Sequence, residues 1–502
     1  TSSIPALYTP LTKLLAARNC TRPRDVYPCV LSLLAHDSKI ADLLLEKNFP
    51  VSLKELTSVF GSLGEIPLLH QLMRLCPLPS LHFERLFVAI RRLLLKFLDK
   101  LVVSPELLNF LSTLSIHCFT NEYVYFESDE EKKLIEELEA QIRQSVEGSK
   151  QPAAVQILCF ATYRRLHQYD WCRKLDALDN LKEVKARLIS EPLSEKLIAK
   201  DIAVLEEISD GVSLAVRRQY EENPYPRWTK LFLHPEAKPI AWVCETLELQ
   251  LFSEEIKTVA APLILIGGCG TGRHSIETAS RFSNCHVIAV DLSLSSLAYA
   301  QRKTNELGLD NLEYLQADIL HLHRLGRKFD IIESVGVLHH MEEPMAGWRV
   351  LVDTLNSGGL MRIGLYSELA RQPIAAVRQE IASLGVGTSE GSIRKFRASL
   401  AESHDENHQQ ITASSDFFSL SAMRDLLFHV KEHRFTLPQI ESCLDDLGLK
   451  FCGFEHSKEV TSGFKETHGK EADIYDLSLW HQYEEANPQI FAGMYQFWCQ
   501  KP

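Results

Sequence analysis

The sequence lacks the patterns that mark membrane, metal-binding and disulfide-rich proteins. Its longest apolar stretch, LFVAIRRLLLKFL from Leu86, is interrupted by arginines and is too short to cross a bilayer. The twelve cysteines are scattered without C-x-x-C pairs, so neither a zinc site nor a disulfide framework is predicted. We therefore expect a soluble, cytoplasmic protein without a membrane span. Because the first residue is Thr1 and not Met, an organelle matrix stays open as an alternative compartment.

An excess of positive charge is also missing. The formal net charge is −12, which argues against broad adhesion to nucleic acid or to anionic membranes. Nucleic acid is therefore not an expected partner. With 502 residues, 45% of them apolar and 24% charged, the chain is long enough for two or three domains with substantial cores.

The first part of the chain has a helical pattern. Over residues 1–210 the apolar residues recur at helical spacing and strand-like alternation is scarce. This pattern predicts an all-helical domain, which offers a surface for a protein partner. One of its helices begins with a capping box, in which Ser128 precedes Glu131 by three residues. The proline-rich ENPYPRW, residues 222–228, then ends the helical pattern, and we place a lid or linker over residues 211–235.

Short apolar strands alternate with amphipathic helices in the rest of the chain. This alternation predicts an α/β fold, a Rossmann-like seven-stranded sheet whose core spans residues 236–370. A polar, helix-prone segment, residues 371–436, follows the fifth strand and is predicted to cap the substrate side of the sheet. Residues 437–502 supply the closing helix and strands. The predicted strands are LILIG (263–267), HVIAV (286–290), LEYLQ (312–316), FDIIES (329–334), GLMRIGL (359–365), KFCGFE (450–455) and MYQFWCQ (494–500).

The stretch LIGGCGTGRH, residues 265–274, places three glycines at alternate positions between a strand and a helix. Glycines let the backbone turn sharply and approach a ligand, and the N–H groups of a helix start attract a negative group. A dinucleotide fingerprint is one residue longer, which disfavours an oxidoreductase. Asp291 ends the second strand, where an acid can bind ribose hydroxyls, and Asp318 ends the third, where a carboxylate can accept from an adenine amino group.

At these residues the sequence resembles the class I S-adenosylmethionine-dependent methyltransferases. LIGGCGTG, AVDLS, QADIL, FDIIESVGVLHHM and LNSGGLMRIGLYS follow the order and spacing of that family. More narrowly, RRQYEENPYPRW, VLHHMEEPMAGWRVL, YSELAR and DLLFHVKEHRFTLPQI look like a group of large bacterial-type methyltransferases that often carry tetratricopeptide repeats. No repeat of that kind, with a period of about 30 to 50 residues, is found in this sequence. The resemblance implies S-adenosyl-L-methionine as the cofactor and a protein or small-molecule methyl acceptor.

The resemblance also implies a set of cofactor-binding residues. Three glycines would line the methionine part, two carboxylates would bind the ribose and the adenine amino group, and two apolar residues would flank the adenine ring. In that order these residues are Gly268, Gly270 and Gly272, then Asp291 and Asp318, then Leu292 and Ile319. The family commonly has an acid two residues before the first glycine, where this chain has Ile266. We expect the partner of the cofactor's amino group to come from a backbone carbonyl near Glu333 or from the segment that carries Tyr220.

Three polar residues in or just after the fourth strand are candidate catalytic residues. They are Glu333, His339 and His340, at the end of the sheet where open α/β folds bind their ligands. A base is needed only if the acceptor is protonated, because a sulfonium methyl is already activated. Three roles stay open for each histidine: a helix-start residue bonded to the backbone, a substrate contact or base, or a metal ligand. No metal site is predicted, since no carboxylate or cysteine is spaced to complete one. Two roles stay open for Glu333: a contact to the cofactor or the substrate, or a simple polar residue at the edge of the sheet.

The ENPYPRW segment has two interpretations. It is either a stiff linker between domains or a lid. In the lid interpretation four residues close over the cofactor and the acceptor: Tyr220, Asn223, Tyr225 and Arg227. Because an aromatic face attracts a sulfonium cation, Tyr220 is a candidate cofactor contact and Tyr225 a candidate catalytic residue. The alternative to an enzyme is a catalytically silent methyltransferase-fold subunit that acts as a binding or assembly factor. The intact glycine loop and the two carboxylates favour the enzyme.

Overall fold

The computed structural model describes residues 5–502, and contacts divide the chain into two compact units. The helical unit contains the chain up to Lys196, Arg227–Phe232 and Ile381–Leu426. The sheet unit contains Leu197–Pro226, Leu233–Glu380 and Leu427–Pro502. This division differs from the predicted domain boundaries, because the middle of the predicted 371–436 insertion groups with the N-terminal helices. The expectation about Thr1 falls outside the described residues.

Helices form most of the chain before residue 202, as the spacing of apolar residues predicts. The capping box is confirmed: the backbone N–H of Glu131 donates to Ser128 Oγ at 3.2 Å, and that of Ser128 donates to the Glu131 carboxylate at 2.9 Å. No helix within residues 5–502 is both long and apolar enough to cross a membrane. The α-helices of this part are Tyr8–Ala16, Pro23–Ala35, Ser38–Ala41, Leu53–Gly64, Pro67–Leu75, Leu81–Lys96, Pro105–Thr120, Asp129–Glu147, Ala154–Ala161, Lys182–Lys185 and Glu191–Asp201.

A buried ion pair joins the distant chain segments of the helical unit. The Arg397 guanidinium donates two hydrogen bonds of 2.6 Å to the Glu84 carboxylate, and its Nε donates to the Phe417 carbonyl at 2.6 Å. Both charged side chains are buried. A bidentate pair of this kind satisfies both charges inside the protein, where neither has access to water. Segment 381–426 is therefore held to the first helices by charge as well as by packing.

The sheet unit is built on eight strands. Their bounds are Ala203–Val204 (β1), Leu263–Gly267 (β2), His286–Asp291 (β3), Leu312–Gln316 (β4), Phe329–Val335 (β5), Leu355–Leu365 (β6), Lys450–Phe454 (β7) and Tyr495–Gln500 (β8). They are ordered β1-β4-β3-β2-β5-β6-β8-β7. Strands β1 to β6 pair in parallel, whereas β8 is antiparallel to both of its neighbours. The carboxyl ends of β2 to β6 therefore meet at one edge of the sheet.

The Rossmann-like fold is confirmed, and all seven predicted strands form. The eighth strand, β1, is a difference from the prediction, and it falls inside the segment predicted to be all-helical. It pairs only Ala203 and Val204 with the edge strand β4, through Leu315 and Gln316. Two residues are too few for the alternating pattern that identifies a strand in a sequence.

Helices cover the sheet and fill the region after β6. Apolar side chains of the strands and helices form one buried core, which includes Trp348, Trp480 and Phe497. Residues 371–436 are mainly helical, as expected, but their predicted role as a cap stays a prediction. The remaining α-helices are Gly211–Glu222, Ile240–Thr246, Arg273–Arg281, Leu294–Leu307, Pro344–Thr354, Gln372–Leu384, Glu390–Ala401, Glu406–Ala413, Leu420–Phe428, Leu437–Asp446, Lys458–His468 and Leu477–Ala486.

The buried ion pair gives a stability prediction. Glu84→Gln should lower the free energy of unfolding of the helical unit by about 3–5 kcal/mol, because it leaves the Arg397 charge buried without a countercharge. Urea unfolding, with hydrogen exchange of the helix Glu390–Ala401, measures this loss. As a control, Lys39→Ala removes an exposed ion pair with Glu65 and should leave the unfolding free energy nearly unchanged. If Glu84→Gln behaves like this control, the pair does not hold segment 381–426 in place.

Candidate active site

The glycine loop after β2 is hydrogen-bonded to the end of the neighbouring strand β3. The backbone N–H groups of Gly268 and Cys269 both donate to the Val290 carbonyl at 2.9 Å, and the N–H of Gly270 donates to Asp291 Oδ2 at 2.7 Å. These bonds place the loop directly beside Asp291. The glycine loop and Asp291 therefore lie next to each other at the carboxyl ends of β2 and β3, as predicted.

Two of the three glycines are required by close approaches at this edge of the sheet. Gly268 has a φ of +79°, and a Cβ there would lie 2.4 Å from Val337 Cγ2. At Gly270 a Cβ would lie 2.7 Å from the carbonyl oxygen of Tyr225. Gly272 has a different local role, because its Cβ would meet Ala300 Cβ at 2.5 Å. Gly272 therefore lets two helices pack closely, whereas Gly268 and Gly270 let Val337 and Tyr225 approach the loop.

The two predicted carboxylates lie at the ends of β3 and β4. Asp291 also accepts from the Ser293 N–H at 2.9 Å, and burial raises the pKa of Asp291 to about 6. Asp318 is buried, and its Oδ1 accepts from the Leu320 N–H at 3.0 Å. Its other oxygen, Oδ2, has no hydrogen-bond partner among residues 5–502. A buried carboxylate oxygen in this state is suited to accept a hydrogen bond from a ligand.

The two residues predicted to flank an adenine ring follow these acids directly. Ile319 is buried next to Asp318, and its Cδ1 would lie 3.5 Å from a Cβ at Gly267. Leu292 is half-buried, and its carbonyl accepts from Gln316 Nε2 at 2.7 Å. The structure therefore brings all of the predicted ribose and adenine residues to one edge of the sheet.

The segment before the sheet also reaches this edge. Here we call helix Gly211–Glu222 together with residues 223–226 the cover. The Glu221 carboxylate accepts from the N–H groups of Leu294 and Ser295, at 2.7 and 3.1 Å, at the start of the helix that follows Asp291. The carbonyl of Pro226 accepts from the Thr271 hydroxyl in the glycine loop. The cover is therefore attached to both sides of the predicted cofactor site.

The predicted lid residues are divided between the two units. Tyr220 and Tyr225 are half-buried and belong to the sheet unit. Arg227 belongs to the helical unit, where its guanidinium carbon lies 4.8 Å from the centre of the Phe119 ring. The lid therefore stays a prediction for Tyr220 and Tyr225, while the contact of Arg227 gives it a role in the helical unit.

A group of imidazole and aromatic rings lies after β5 and β6; we call it the imidazole wall (His339, His340, Tyr366 and His429). His339 is fully buried, and its ring stacks on that of Tyr366 with centroids 3.8 Å apart. Neither ring nitrogen of His339 has a hydrogen-bond partner among the residues that the structure describes. Burial lowers the pKa of His339 well below its usual value, and Arg371 lowers it further. The ring is therefore neutral at pH 7 and can offer one donor and one acceptor.

His340 has a different environment from its neighbour. Its Nδ1 lies 2.7 Å from the carbonyl of Lys431, and its ring stacks on that of His429 at 3.5 Å. The expected bond to a backbone group is therefore found for His340, whereas the side chain of His339 has none. Burial lowers the pKa of His340 well below its usual value, so this ring is neutral as well.

Two members of the imidazole wall have no role predicted from the sequence. Tyr366 and His429 occur in the family-like motifs YSELAR and DLLFHVKEHRFTLPQI, which were the only signal for them. Tyr366 follows β6 directly, and the guanidinium carbon of Arg371 lies 3.6 Å from its ring centre. Arg371 is in turn paired with the buried Glu432 at 2.5 Å. The positive charge of Arg371 next to the imidazole wall is therefore balanced by the Glu432 carboxylate.

Glu333 belongs to a buried ion-pair network in the middle of the sheet. Its carboxylate accepts from His274 and Arg362 and from the Thr278 hydroxyl. Burial alone would raise the pKa of Glu333, but His274 and Arg362 outweigh it and hold the pKa at about 2. The polar partners observed for Glu333 belong to strand β6 and to the helix after the glycine loop. These bonds all go to Oε2 and support a structural role, whereas Oε1 is buried without a hydrogen-bond partner among the described residues, so the catalytic or ligand contact of Glu333 stays a prediction.

Two arginines close to the predicted cofactor site lie near acids of their own helices. Arg217, on the cover helix, lies 3.9 Å from Glu221, and Arg273, directly after the glycine loop, lies 3.6 Å from Glu277. Both pairs have the i, i+4 spacing of helix-surface ion pairs.

Residues 264–359 match the family model described as a methyltransferase domain. An uncharacterized protein from Synechococcus sp. is 28% identical over 254 residues, which cover 49% of this chain and 60% of that protein. (S)-Coclaurine N-methyltransferase from Papaver somniferum is 24% identical over 199 residues, which cover 40% of this chain and 52% of that enzyme. The solved structure of PKMT2 from Rickettsia typhi in complex with AdoHcy is 15% identical, covers 55% of each chain and has a TM-score of 0.40.

The matched segment runs from β2 into β6 and contains the glycine loop and both carboxylates. Residues 264–359 of the sheet unit therefore match a methyltransferase domain, in agreement with the family resemblance of the glycine loop and the two carboxylates. The chain spans about half to three fifths of the length of the two curated relatives.

The network around Glu333 gives a second prediction. Glu333→Gln should lower the free energy of unfolding by about 3 kcal/mol at pH 7, because it leaves the buried Arg362 with one countercharge fewer. The Glu333 pKa is depressed in the folded protein, so this stabilisation is complete above the ordinary pKa of 4.5 and disappears as the pH falls towards about 2. Urea unfolding at several pH values measures it.

The matched control for this prediction is Glu485→Gln, which changes an exposed acid at the end of a helix. It should leave the unfolding free energy nearly unchanged. A Glu333→Gln variant that is as stable as the wild type but no longer binds ligand would contradict the structural role.

Proposed function

We propose that this protein is an S-adenosylmethionine-dependent methyltransferase that binds its cofactor at the carboxyl ends of β2, β3 and β4. The observation that carries the proposal is the buried Oδ2 of Asp318, which has no partner among the described residues. It lies at the end of β4, in line with Asp291 at the end of β3 and the glycine loop at the end of β2. An adenine amino group would supply the missing donor.

The residues at this edge fit the rest of the cofactor. The Asp291 oxygens accept from the backbone N–H groups of Gly270 and Ser293. A carboxylate oxygen can accept a second hydrogen bond, so ribose hydroxyls can donate to Asp291 while these backbone bonds are kept. Gly268 and Gly270 allow the tight turn that brings the loop beside Asp291, and Leu292 and Ile319 supply apolar surface for the base. When it is bound, S-adenosylmethionine supplies a methyl group that is activated by the positive sulfur. The cover, with Tyr220 and Tyr225, excludes water from the site in this proposal.

The acceptor binds next to the imidazole wall, at the ends of β5 and β6. We infer an uncharged nucleophile, such as an amine nitrogen in its unprotonated form. Burial and Arg371 disfavour a positive charge at His339, and the same surroundings disfavour an ammonium group next to it. A neutral His339 ring can accept a hydrogen bond from the acceptor's N–H and so orient the nitrogen lone pair. His340 completes this side of the site.

The acceptor itself is a protein or a small molecule. Among relatives with a known activity, the (S)-coclaurine N-methyltransferase acts on nitrogen, which agrees with an amine acceptor. A protein acceptor would have the helical unit as an additional recognition surface. In either case the acceptor must place its nucleophilic atom within reach of His339.

The proposed cofactor site is tested by titration of the purified protein with S-adenosylmethionine in a calorimeter. Asp318→Ala should weaken binding by about 1–3 kcal/mol, a factor of about 5 to 150, because the adenine amino group loses its acceptor. Asp310→Ala removes an exposed acid in the same region of the chain and should bind like the wild type. The proposal fails if the wild-type protein shows neither binding heat nor a thermal shift at saturating cofactor concentrations.

The raised pKa of Asp291 predicts that cofactor binding depends on pH. Ribose hydroxyls donate to the ionised carboxylate, so binding favours ionisation and should strengthen as the pH rises through about 6, where burial places the pKa of Asp291. Titrations between pH 5 and pH 7.5 measure this dependence. Asp291→Asn should bind more weakly and should not show the step near pH 6; a step that persists in this variant would assign it to another group.

A further inference from the structure

His429 contacts both the cover and the acceptor side of the proposed site. The hydroxyl of Tyr220, on the cover helix, lies 3.1 Å from His429 Nε2. The His429 ring stacks on that of His340, with centroids 3.5 Å apart and an angle of 24° between the rings. One imidazole therefore touches a side chain of the cover on one side and a candidate catalytic residue on the other.

Lys431 contacts both histidines of this group. Its carbonyl lies 2.8 Å from His429 Nδ1 and 2.7 Å from His340 Nδ1, and its backbone N–H donates to His429 Nδ1 at 3.3 Å. Lys431 is therefore compatible with either neutral tautomer of His429. Burial lowers the pKa of His429 well below its usual value, so its ring is neutral at pH 7 and carries one N–H and one lone pair. In either tautomer the Tyr220 hydroxyl can bond to His429 Nε2, because a hydroxyl both donates and accepts.

The cover is attached to the cofactor side by independent contacts. Glu221, the next residue after Tyr220, caps the helix that follows Asp291, and Pro226 accepts from Thr271 in the glycine loop. Tyr220 and Glu221 therefore hold the same helical turn to opposite halves of the site. The bond to His429 therefore adds a contact on the acceptor side to the contacts that the cover makes on the cofactor side.

We propose that His429 is a positioning residue that couples the cover to the acceptor side of the site. Through the Tyr220 hydroxyl it holds the cover over the cofactor, and through stacking it orients His340. The proposal rests on the proposed function, because the cofactor and the acceptor define the two sides. It predicts that Tyr220 and His429 act as one unit in cofactor binding.

The test is a double-mutant cycle with Tyr220→Phe and His429→Phe in the full chain. Each change removes one partner of the hydrogen bond and keeps an aromatic ring in place. Each single variant should weaken S-adenosylmethionine binding about 3- to 10-fold, and the double variant should be no weaker than the singles. Hydrogen exchange of residues 211–226 should become faster to the same extent in all three proteins. His429→Gln keeps an acceptor in the side chain and should restore part of both properties.

The control is Tyr475→Phe, which removes a tyrosine hydroxyl that donates to the Glu248 carbonyl at 2.6 Å, outside the site. It should leave cofactor affinity and the exchange of residues 211–226 unchanged. Independent, multiplying effects of the two changes would overturn the proposal, as would wild-type affinity and exchange in both single variants. If the wild-type protein does not bind the cofactor, the proposed function fails, while hydrogen exchange in the free protein still reports whether Tyr220 and His429 act together.

Discussion

The hydrogen bonds between the glycine loop and the end of β3 determine the arrangement of the whole sheet edge. The Val290 carbonyl accepts two N–H groups of the loop, and the Asp291 carboxylate accepts a third. These bonds require a backbone conformation with positive φ at Gly268, in a space where Val337 leaves no room for a side chain. Since the loop is fixed in this way, the start of the next helix and the attached cover are fixed with it.

Buried polar groups at the centre of the sheet are charged, whereas the imidazole wall at its edge is neutral. At the centre, Glu333 is ionised and surrounded by His274 and Arg362, an arrangement that stabilises the fold. At the edge, the imidazole wall is kept uncharged by burial, and the positive charge of the neighbouring Arg371 is balanced by Glu432. The hydrogen-bond donors and acceptors of the imidazole wall are thus neutral, although the charged side chains of Arg371 and Glu432 lie nearby. Neutral groups can change hydrogen-bond partners at a low cost in desolvation, which suits a surface that must bind and release an acceptor.

The fold and the cofactor side of the site could be predicted because their signals are local. Each strand is a short apolar run, and Asp291 and Asp318 follow such runs directly. The acceptor side could not be derived in this way. His429 lies far along the chain from Tyr220 and His340, near the end of segment 371–436, and no periodic pattern connects these residues. Glu333 was ambiguous because an acid within an apolar strand has the same sequence pattern whether it binds a ligand or an internal arginine.

The division of the chain into two units is likewise not visible in the sequence pattern. Nothing in the helical periodicity of residues 381–426 indicates that they group with the first helices, since the ion pair between Glu84 and Arg397 joins residues 313 positions apart. This separation has a consequence for synthesis on the ribosome. At about 5–20 residues per second, Arg397 emerges some 15 to 60 seconds after Glu84. During that interval the growing chain must keep the Glu84 carboxylate in water, so the N-terminal helices cannot close their core before most of the sheet unit has been made.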